Sequence, residues 1–350
     1  MPHLAFTCSY APLPLIDAAG MTPHRLLPLG EAPERAGELL HENMCPHVKR
    51  VLDRALAGDV PDDLAGLVVV NSCDTMRRLA DAWAAVRPDD LLEVIELPDT
   101  ASPESIAFYA GELRRLARVL ATRGGRPVTD ESLAVCIEAR HRQAERLSAL
   151  ARRAAAGTLP GGRAALQRAY NAAQTLVAED ADAVIGGLEN SPDHEPAAGV
   201  AVLVFGNVAA DPDLFDLIES CGCRVAGDDL CTGARGLRPL DVAAEGDPWT
   251  RLAGALLGGA RCARTIDPAR PASLGEQVVE RARACGARGV IAHVMKFCDP
   301  YLARLPAVRR TLEDAGLAML VIEGDCTPRA AGQMRTRIEA FAEMLGDRES

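Results

Sequence analysis

Short apolar runs of strand length alternate with amphipathic stretches of helix length, and they do so in two separate groups. In the first half the runs are "PHLAFTC", "PHRLLPL", "LAGLVVVNSC" and "LLEVIELP", with helices predicted over Leu39 to Ala57 and Met76 to Val86. In the second half they are "GVAVLVFGN", "CRVAGDDLC", "GVIAHVMKFC" and "LAMLVIEGDC", again with helices between them and a last helix from about Ala331 to Leu345. This βα rhythm predicts α/β domains with parallel sheets flanked by helices. Between the groups, from Pro103 to about Asp182, the pattern turns to long Ala, Leu, Arg and Glu segments broken at "RGGRPVTDES" and "GTLPGGR". These breaks predict three helices, the second opening on Thr129 or Asp130 as N-cap. The polar, proline-containing stretch "ENSPDHEPAAG", Glu189 to Gly199, reads as a domain boundary. The expected organisation is an N-terminal α/β domain over residues 1–190, carrying a helical insert at about 103–182, and a C-terminal α/β domain over 199–350. A chain of 350 residues suits two cores better than one.

Composition excludes several function classes. Lys and Arg are outnumbered 38 to 49, the net charge is -11 and aromatics are 3%, a poor match for phosphate backbones or base stacking, so no nucleic acid partner is expected. The longest apolar runs fall far short of the roughly 20 residues that cross a bilayer, so no membrane span is expected. The start "MPHLAFTCSYAPLPL" shows no basic region ahead of an apolar one and no cleavage site, which predicts a cytoplasmic protein. Neither GxGxxG nor GxxxxGK[ST] occurs, so nucleotide binding through those loops is not expected.

The cysteines carry the strongest chemical signal. There are 11, an odd number, in a chain without an export signal, which favours metal or redox chemistry over disulfides. Four strand-like runs end in or just before one, at Cys8, Cys73, Cys231 and Cys298, and Cys326 follows a fifth. Ligands of open α/β sheets gather at the carboxyl ends of strands, so thiols there are placed for chemistry. Buried cysteine also packs as a small hydrophobe, and position alone does not separate the two readings. With no CxxC pair, zinc ribbons, thioredoxin-like sites and ferredoxin runs are disfavoured. "CGC" at Cys221 and Cys223 falls between a helix and a strand and reads as structural.

Five segments in order, "HENMCPHVKRVLD", "VVVNSCDTMRRLADAW", "VAGDDLCTGAR", "GVIAHVMKFCDPYLARLPAVRRTLEDAG" and "GQMRTRIEAFAEML", together with the opening "FTCSYAPLPLIDAAGMTPHRL", resemble the 2-hydroxyacyl-CoA dehydratase and benzoyl-CoA reductase family. The resemblance implies two Rossmann-like domains with an oxygen-sensitive iron–sulfur cluster in the cleft between them. It implies a four-iron four-sulfur cluster held by Cys45, Cys73 and Cys298, with the fourth iron left open as the catalytic site. Thiolates are soft ligands suited to such clusters, and an iron without a cysteine acts as a Lewis acid. The implied activity is radical dehydration or reduction of an acyl-CoA. Low-potential electrons would come from a separate ATP-dependent activator with its own iron–sulfur cluster, and the chain would pair with itself or with a related subunit.

Cys8, Cys231 and Cys262 fall where a double-cubane reductase branch of the family carries extra cysteines, which would give three thiols to each of two cubanes and a small-molecule substrate in place of acyl-CoA. The segment "GGARCARTIDPARP" around Cys262 matches that branch only loosely. A non-enzymatic cluster-binding member is the third alternative. Around the ligands, Asp74 and Asp299 are expected to cap the helices that follow. Lys49, Arg77, Arg78 and Lys296 either offset cluster charge or CoA phosphates, or serve as ordinary solvated pairs. His47 and His293 are expected to be structural, and Arg335 and Arg337 to serve packing and surface charge.

Overall fold

The computed structural model describes residues 1–241, 246–259, 261–267, 269–326 and 331–347. Its first sheet contains β1 (His3–Phe6), β2 (Thr22–Arg25), β3 (Leu64–Asn71) and β4 (Leu91–Glu96), all parallel, in the order β2-β1-β3-β4. The second contains β5 (Val200–Gly206), β6 (Cys223–Asp229), β7 (Gly289–Met295) and β8 (Ala318–Gly324), all parallel, in the order β6-β5-β7-β8. Parallel neighbours need a crossover, and helices supply it. The first sheet carries α1 (Leu13–Ala18), α2 (Pro46–Ala57) and α3 (Asp74–Val86). The second carries α8 (Pro212–Ser220), α10 (Ser273–Ala284), α11 (Asp299–Asp314) and α12 (Ala331–Asp347).

Alternation along β3 shows how the first core is divided, since successive residues of a strand face opposite sides. Val68 and Val70 face α1 and α4 (Pro103–Thr122), packing with Leu15, Tyr109 and Leu113, and with Leu252 of α9 (Pro248–Gly258). Leu67 and Val69 face α2 and α3, packing with Val51, Leu52, Leu79 and Trp83. The strand is therefore apolar on both sides, the mark of a sheet covered by helices on both faces. In the second sheet Val202 and Val204 pack with Phe215 and Ile218 of α8 and with Ile338 and Phe341 of α12.

Two helix boundaries differ from the sequence expectation. The helix predicted over Leu39 to Ala57 begins only at Pro46, because proline lacks an N–H, fits the first helical position and forces the residue before it into extended backbone; Cys45, at ψ 126°, is that residue. The stretch from Pro103 to Asp182 forms four helices rather than three: α4, α5 (Asp130–Ala156), α6 (Gly162–Thr175) and α7 (Ala178–Glu189). The added break at Leu176 and Val177 carries no Gly or Pro. α5 opens as anticipated, Thr129 Oγ1 accepting from the Ser132 amide at 3.2 Å.

Contacts divide the chain into two compact units more interleaved than a single cut near residues 190–199. The first comprises Met1–Glu145, Ala173–Ala178 and Arg238–Thr265, the second Arg146–Ala172, Glu179–Leu237 and Ile266–Ser350. Among the described residues no helix is long and apolar enough to cross a membrane.

Candidate functional site

Both strand orders reverse direction once, between β1 and β3 in the first sheet and between β5 and β7 in the second. At such a reversal the loops leaving neighbouring strands diverge, opening a crevice at the carboxyl ends. Cys8 lies two residues beyond β1 and Cys73 two beyond β3, so these thiols flank the first reversal. Cys298 lies three residues beyond β7 at the second, while Cys231 and Cys326 each follow a strand end by two, after β6 and β8. Cys45, Cys73 and Cys298 are the N-caps of α2, α3 and α11. A crossover helix starts at the carboxyl side of its sheet, so each of the three sits at that edge with a helix N-terminus behind it, where negative charge is favoured.

In the first unit, beside Arg25, whose guanidinium donates to the Thr7 carbonyl at 3.1 Å, the loops of the edge are tied by a chain of neutral groups. Tyr109 Oη donates to the Tyr10 carbonyl at 2.7 Å, and the Tyr10 hydroxyl pairs with Thr265 Oγ1 at 2.6 Å. The Cys262 amide donates to both hydroxyls, at 3.4 Å and 3.3 Å, which ties Cys262 to the loop carrying Cys8. The Arg264 amide in turn donates to Cys262 Sγ at 3.3 Å. Burial pushes the Cys73 thiol up; the backbone N–H groups of Met76 and Thr75 oppose this by favouring the charged sulfur, and nearby Asp74 and Cys262 add to the rise. Cys8, Cys73 and Cys262 thus share one region of the first unit.

In the second unit the edge is held by charge. Asp228 and Asp229 end β6 side by side, and because strand neighbours face opposite sides they pair with different arginines. Asp228 pairs with Arg163 of α6, and its Oδ1 also accepts from the Leu230 and Ala234 amides at 3.1 Å and 2.9 Å, closing the loop around Cys231. Gly233 is required there, since a Cβ would lie 2.3 Å from the same oxygen. Asp229 pairs with Arg235 at 2.7 Å. The Asn207 carbonyl accepts from both the amide and the thiol of Cys231 at 3.1 Å, while Asn207 Oδ1 accepts from the Met295 amide at 3.2 Å. Asn207 therefore links the Cys231 loop to the strand that leads to Cys298.

Asp74 and Asp299 are not the N-caps: the cysteines before them are, and the aspartates occupy the first helical turn, where a carboxylate complements the helix dipole. Each basic candidate has a protein partner. Lys49 donates to the Glu42 carbonyl, Arg77 to Asn71 Oδ1, Arg78 to Asp81, and Lys296 to Asp325. His47 and His293 are buried, and desolvation lowers them to about 3 and about 4, so both are neutral side chains in the fold. Arg335 lies 3.7 Å from Glu339, and Arg337 donates to the Val321 carbonyl. Cys221 ends α8 and Cys223 opens β6 at the opposite edge of the second sheet, where burial raises Cys223 to about 11. Sequence reasoning missed Asn207, Asp228, Asp229 and Arg235, and Tyr301, whose hydroxyl accepts from Arg235 Nη1 at 2.7 Å. A pair of acids at a strand end with an arginine six residues on is the pattern that marks three of them.

All eleven cysteines are described and none is in a disulfide. Among the described residues no three His, Cys, Asp or Glu side chains form a ready-made ion site. The donor chemistry nevertheless fits an iron–sulfur cluster: soft sulfur ligands, at helix N-termini, with backbone N–H groups directed at one of them.

The family model for the 2-hydroxyglutaryl-CoA dehydratase D-component matches residues 8–345. The chain is similar to the (R)-phenyllactyl-CoA dehydratase beta subunit of Clostridium sporogenes, with 27% identity covering 96% of this chain and 90% of that one. It is similar to the lactoyl-CoA dehydratase beta subunit of Anaerotignum propionicum at 25% over the same shares, and to one of the benzoyl-CoA reductase subunits of Thauera aromatica at 23%, covering 87% and 80%. A solved structure of SsGBP with GDP aligns over 99% of both chains, but at 11% identity and a TM-score of 0.26 the likeness carries no argument. With the match spanning residues 8–345, the chain belongs to the 2-hydroxyglutaryl-CoA dehydratase D-component family and is a dehydratase-like enzyme of that family.

Proposed function

We infer that the chain is a cluster-binding component of a 2-hydroxyacyl-CoA dehydratase or acyl-CoA reductase, working in the cytoplasm with a related subunit and an ATP-dependent activator. Cys45, Cys73 and Cys298 would hold a four-iron four-sulfur cluster. The observation that carries this reading is that all three stand at the N-cap positions of helices at the carboxyl edges of their sheets. The pairing with another subunit draws on relatives named as beta subunits, and the acyl-CoA substrate on the same names. When bound, the cluster supplies low-potential electrons and a Lewis-acidic iron. The chain's own residues keep the sulfurs in place: the Met76 and Thr75 amides of α3 are directed at Cys73, partly offsetting the burial that pushes its thiol up, and Asn207 fixes Cys231 and the end of β7 together.

A double-cubane reading has one observation of its own, the bond network that brings Cys262 to the Cys8 loop and near Cys73. Iron and acid-labile sulfide counted in anaerobically purified protein separate the readings. About four irons per chain fits the single cluster, about eight fits two cubanes with Cys8, Cys231 and Cys262 as added ligands, and none contradicts the cluster reading. Turnover of an acyl-CoA should require the activator or a strong chemical reductant, and ATP-independent turnover without either contradicts the proposed electron supply.

A further inference from the structure

We propose that Arg235 is a positioning residue that sets the Cys231 and Cys298 thiols as one unit, an inference that rests on the cluster reading above. Its side chain is 1% exposed, and one guanidinium reaches three separate chain segments. Nε donates to Asp229 Oδ1 at 2.7 Å, Nη1 to the Tyr301 hydroxyl at 2.7 Å, and Nη2 to the Gly206 carbonyl at 2.7 Å and to the Asp229 carbonyl. Asp229 stands two residues before Cys231, and Tyr301 three after Cys298 in the first turn of α11. Gly206 precedes Asn207, whose carbonyl accepts from the Cys231 thiol.

Two features distinguish this from an ordinary buried ion pair. The donors of a guanidinium lie in a fixed plane, so the fork transmits the position of each acceptor to the others; a lysine keeps the charge but cannot span all three. Asp229 is also held without Arg235, since Oδ2 accepts from Gln277 at 3.0 Å and Arg281 lies 3.4 Å from Oδ1. The Cys231 loop has its own anchor in Asp228 and Arg163. Losing the fork therefore uncouples the two thiols while charge at Asp229 stays compensated.

The test uses the full-length, iron-free chain under argon, alkylated with iodoacetamide and mapped by peptide mass spectrometry. In Arg235→Lys, alkylation at Cys231 and Cys298 should both change by about tenfold, the scale of a lost buried hydrogen bond, while Cys73 and Cys136 keep their wild-type rates. Arg163→Lys, which perturbs β6 from its other face, should not move Cys298. Rates at Cys231 and Cys298 that are unchanged, that move together with Cys73 and Cys136, or that shift equally in Arg163→Lys overturn the proposal. If Arg235→Lys does not fold, Tyr301→Phe removes one tip of the fork and should alter Cys298 alone; an unaltered Cys298 is then the contrary result. In iron-loaded protein Arg235→Lys should shift the reduced-state EPR spectrum at unchanged iron content, and an identical spectrum counts against the inference. Iron uptake by the wild-type chain is read separately, so absence of iron contradicts the cluster and not the coupling.

Discussion

The two sheets share a strand order and place thiols beyond their strands in the same way, yet their edges are fastened by different physics. In the first unit Tyr10, Tyr109, Thr265 and Cys262 form a neutral hydrogen-bond chain. In the second, two buried ion pairs, Arg163 with Asp228 and Arg235 with Asp229, grip the last residues of β6. Neutral bonds of this kind contribute about 1 kcal/mol each. A buried pair gains little net stability over apolar residues, but breaking it by removing one partner strands a desolvated charge. The comparison teaches that equal topology need not mean equal tolerance: the Asp228 and Asp229 pairs should be more sensitive to single substitution than the Tyr10–Thr265 chain.

The largest effect is expected at that edge. Asp228→Asn leaves Arg163 buried without its counter-charge and should destabilise the second unit by roughly 3–5 kcal/mol. Hydrogen exchange under urea, read by peptide, should localise the loss to β5, β6 and α6. A loss below about 1 kcal/mol would erase the contrast between the edges.

How far the sequence reached follows the same division. The strands among the described residues were legible, most clearly β3, β5 and β7, which are short and apolar on both faces. Cys8, Cys73, Cys231 and Cys298 were legible as strand-end residues, because only sequence proximity to an apolar run was needed, whereas Cys45 and Cys262 entered through the family resemblance alone. What stayed hidden was anything closed by long-range partners. Tyr10 meets Thr265 across 255 residues and Arg163 meets Asp228 across 65, and neither spacing has a local signature. Helix starts failed for a nearer reason: Pro46 set the boundary of α2 within a stretch that otherwise continues a helical pattern, and the break before α7 has no punctuating residue. The domain boundary at Glu189 to Gly199 marks a real loop between α7 and β5, but contacts regroup residues 238–265 with the first unit.

One sensitivity should be common to both units. His293 is buried and lowered from 6.5 to about 4, and His47 is lowered to about 3, in each case chiefly by desolvation. Between these values and 6.5 the unfolded chain binds a proton that the folded chain excludes. Stability is therefore fully present above about pH 6.5 and is lost as pH falls toward 4, by about 3 kcal/mol for His293. His293→Gln should flatten the acid limb of a stability profile for the second unit only; an unchanged slope between pH 6.5 and 4 would show that His293 is not excluded from protonation.

The smallest effect belongs to the neutral Tyr10–Thr265 chain. Thr265→Val removes one partner of the Tyr10 hydroxyl and of the Cys262 amide and should cost about 1 kcal/mol, with faster exchange confined to the loops around Cys8 and Cys262. A loss as large as that of Asp228→Asn would mean that the two edges are fastened equally firmly after all.

Cluster binding itself is tested most directly by iron content across single cysteine variants of the anaerobically purified chain. Cys45→Ala, Cys73→Ala and Cys298→Ala should each lose most of their iron and the broad visible absorption, because a cubane left with two protein thiolates is readily shed. Cys136→Ala and Cys285→Ala, on α5 and at the end of α10, should retain both. A Cys298→Ala protein with wild-type iron and an unaltered spectrum would contradict the assignment of the site.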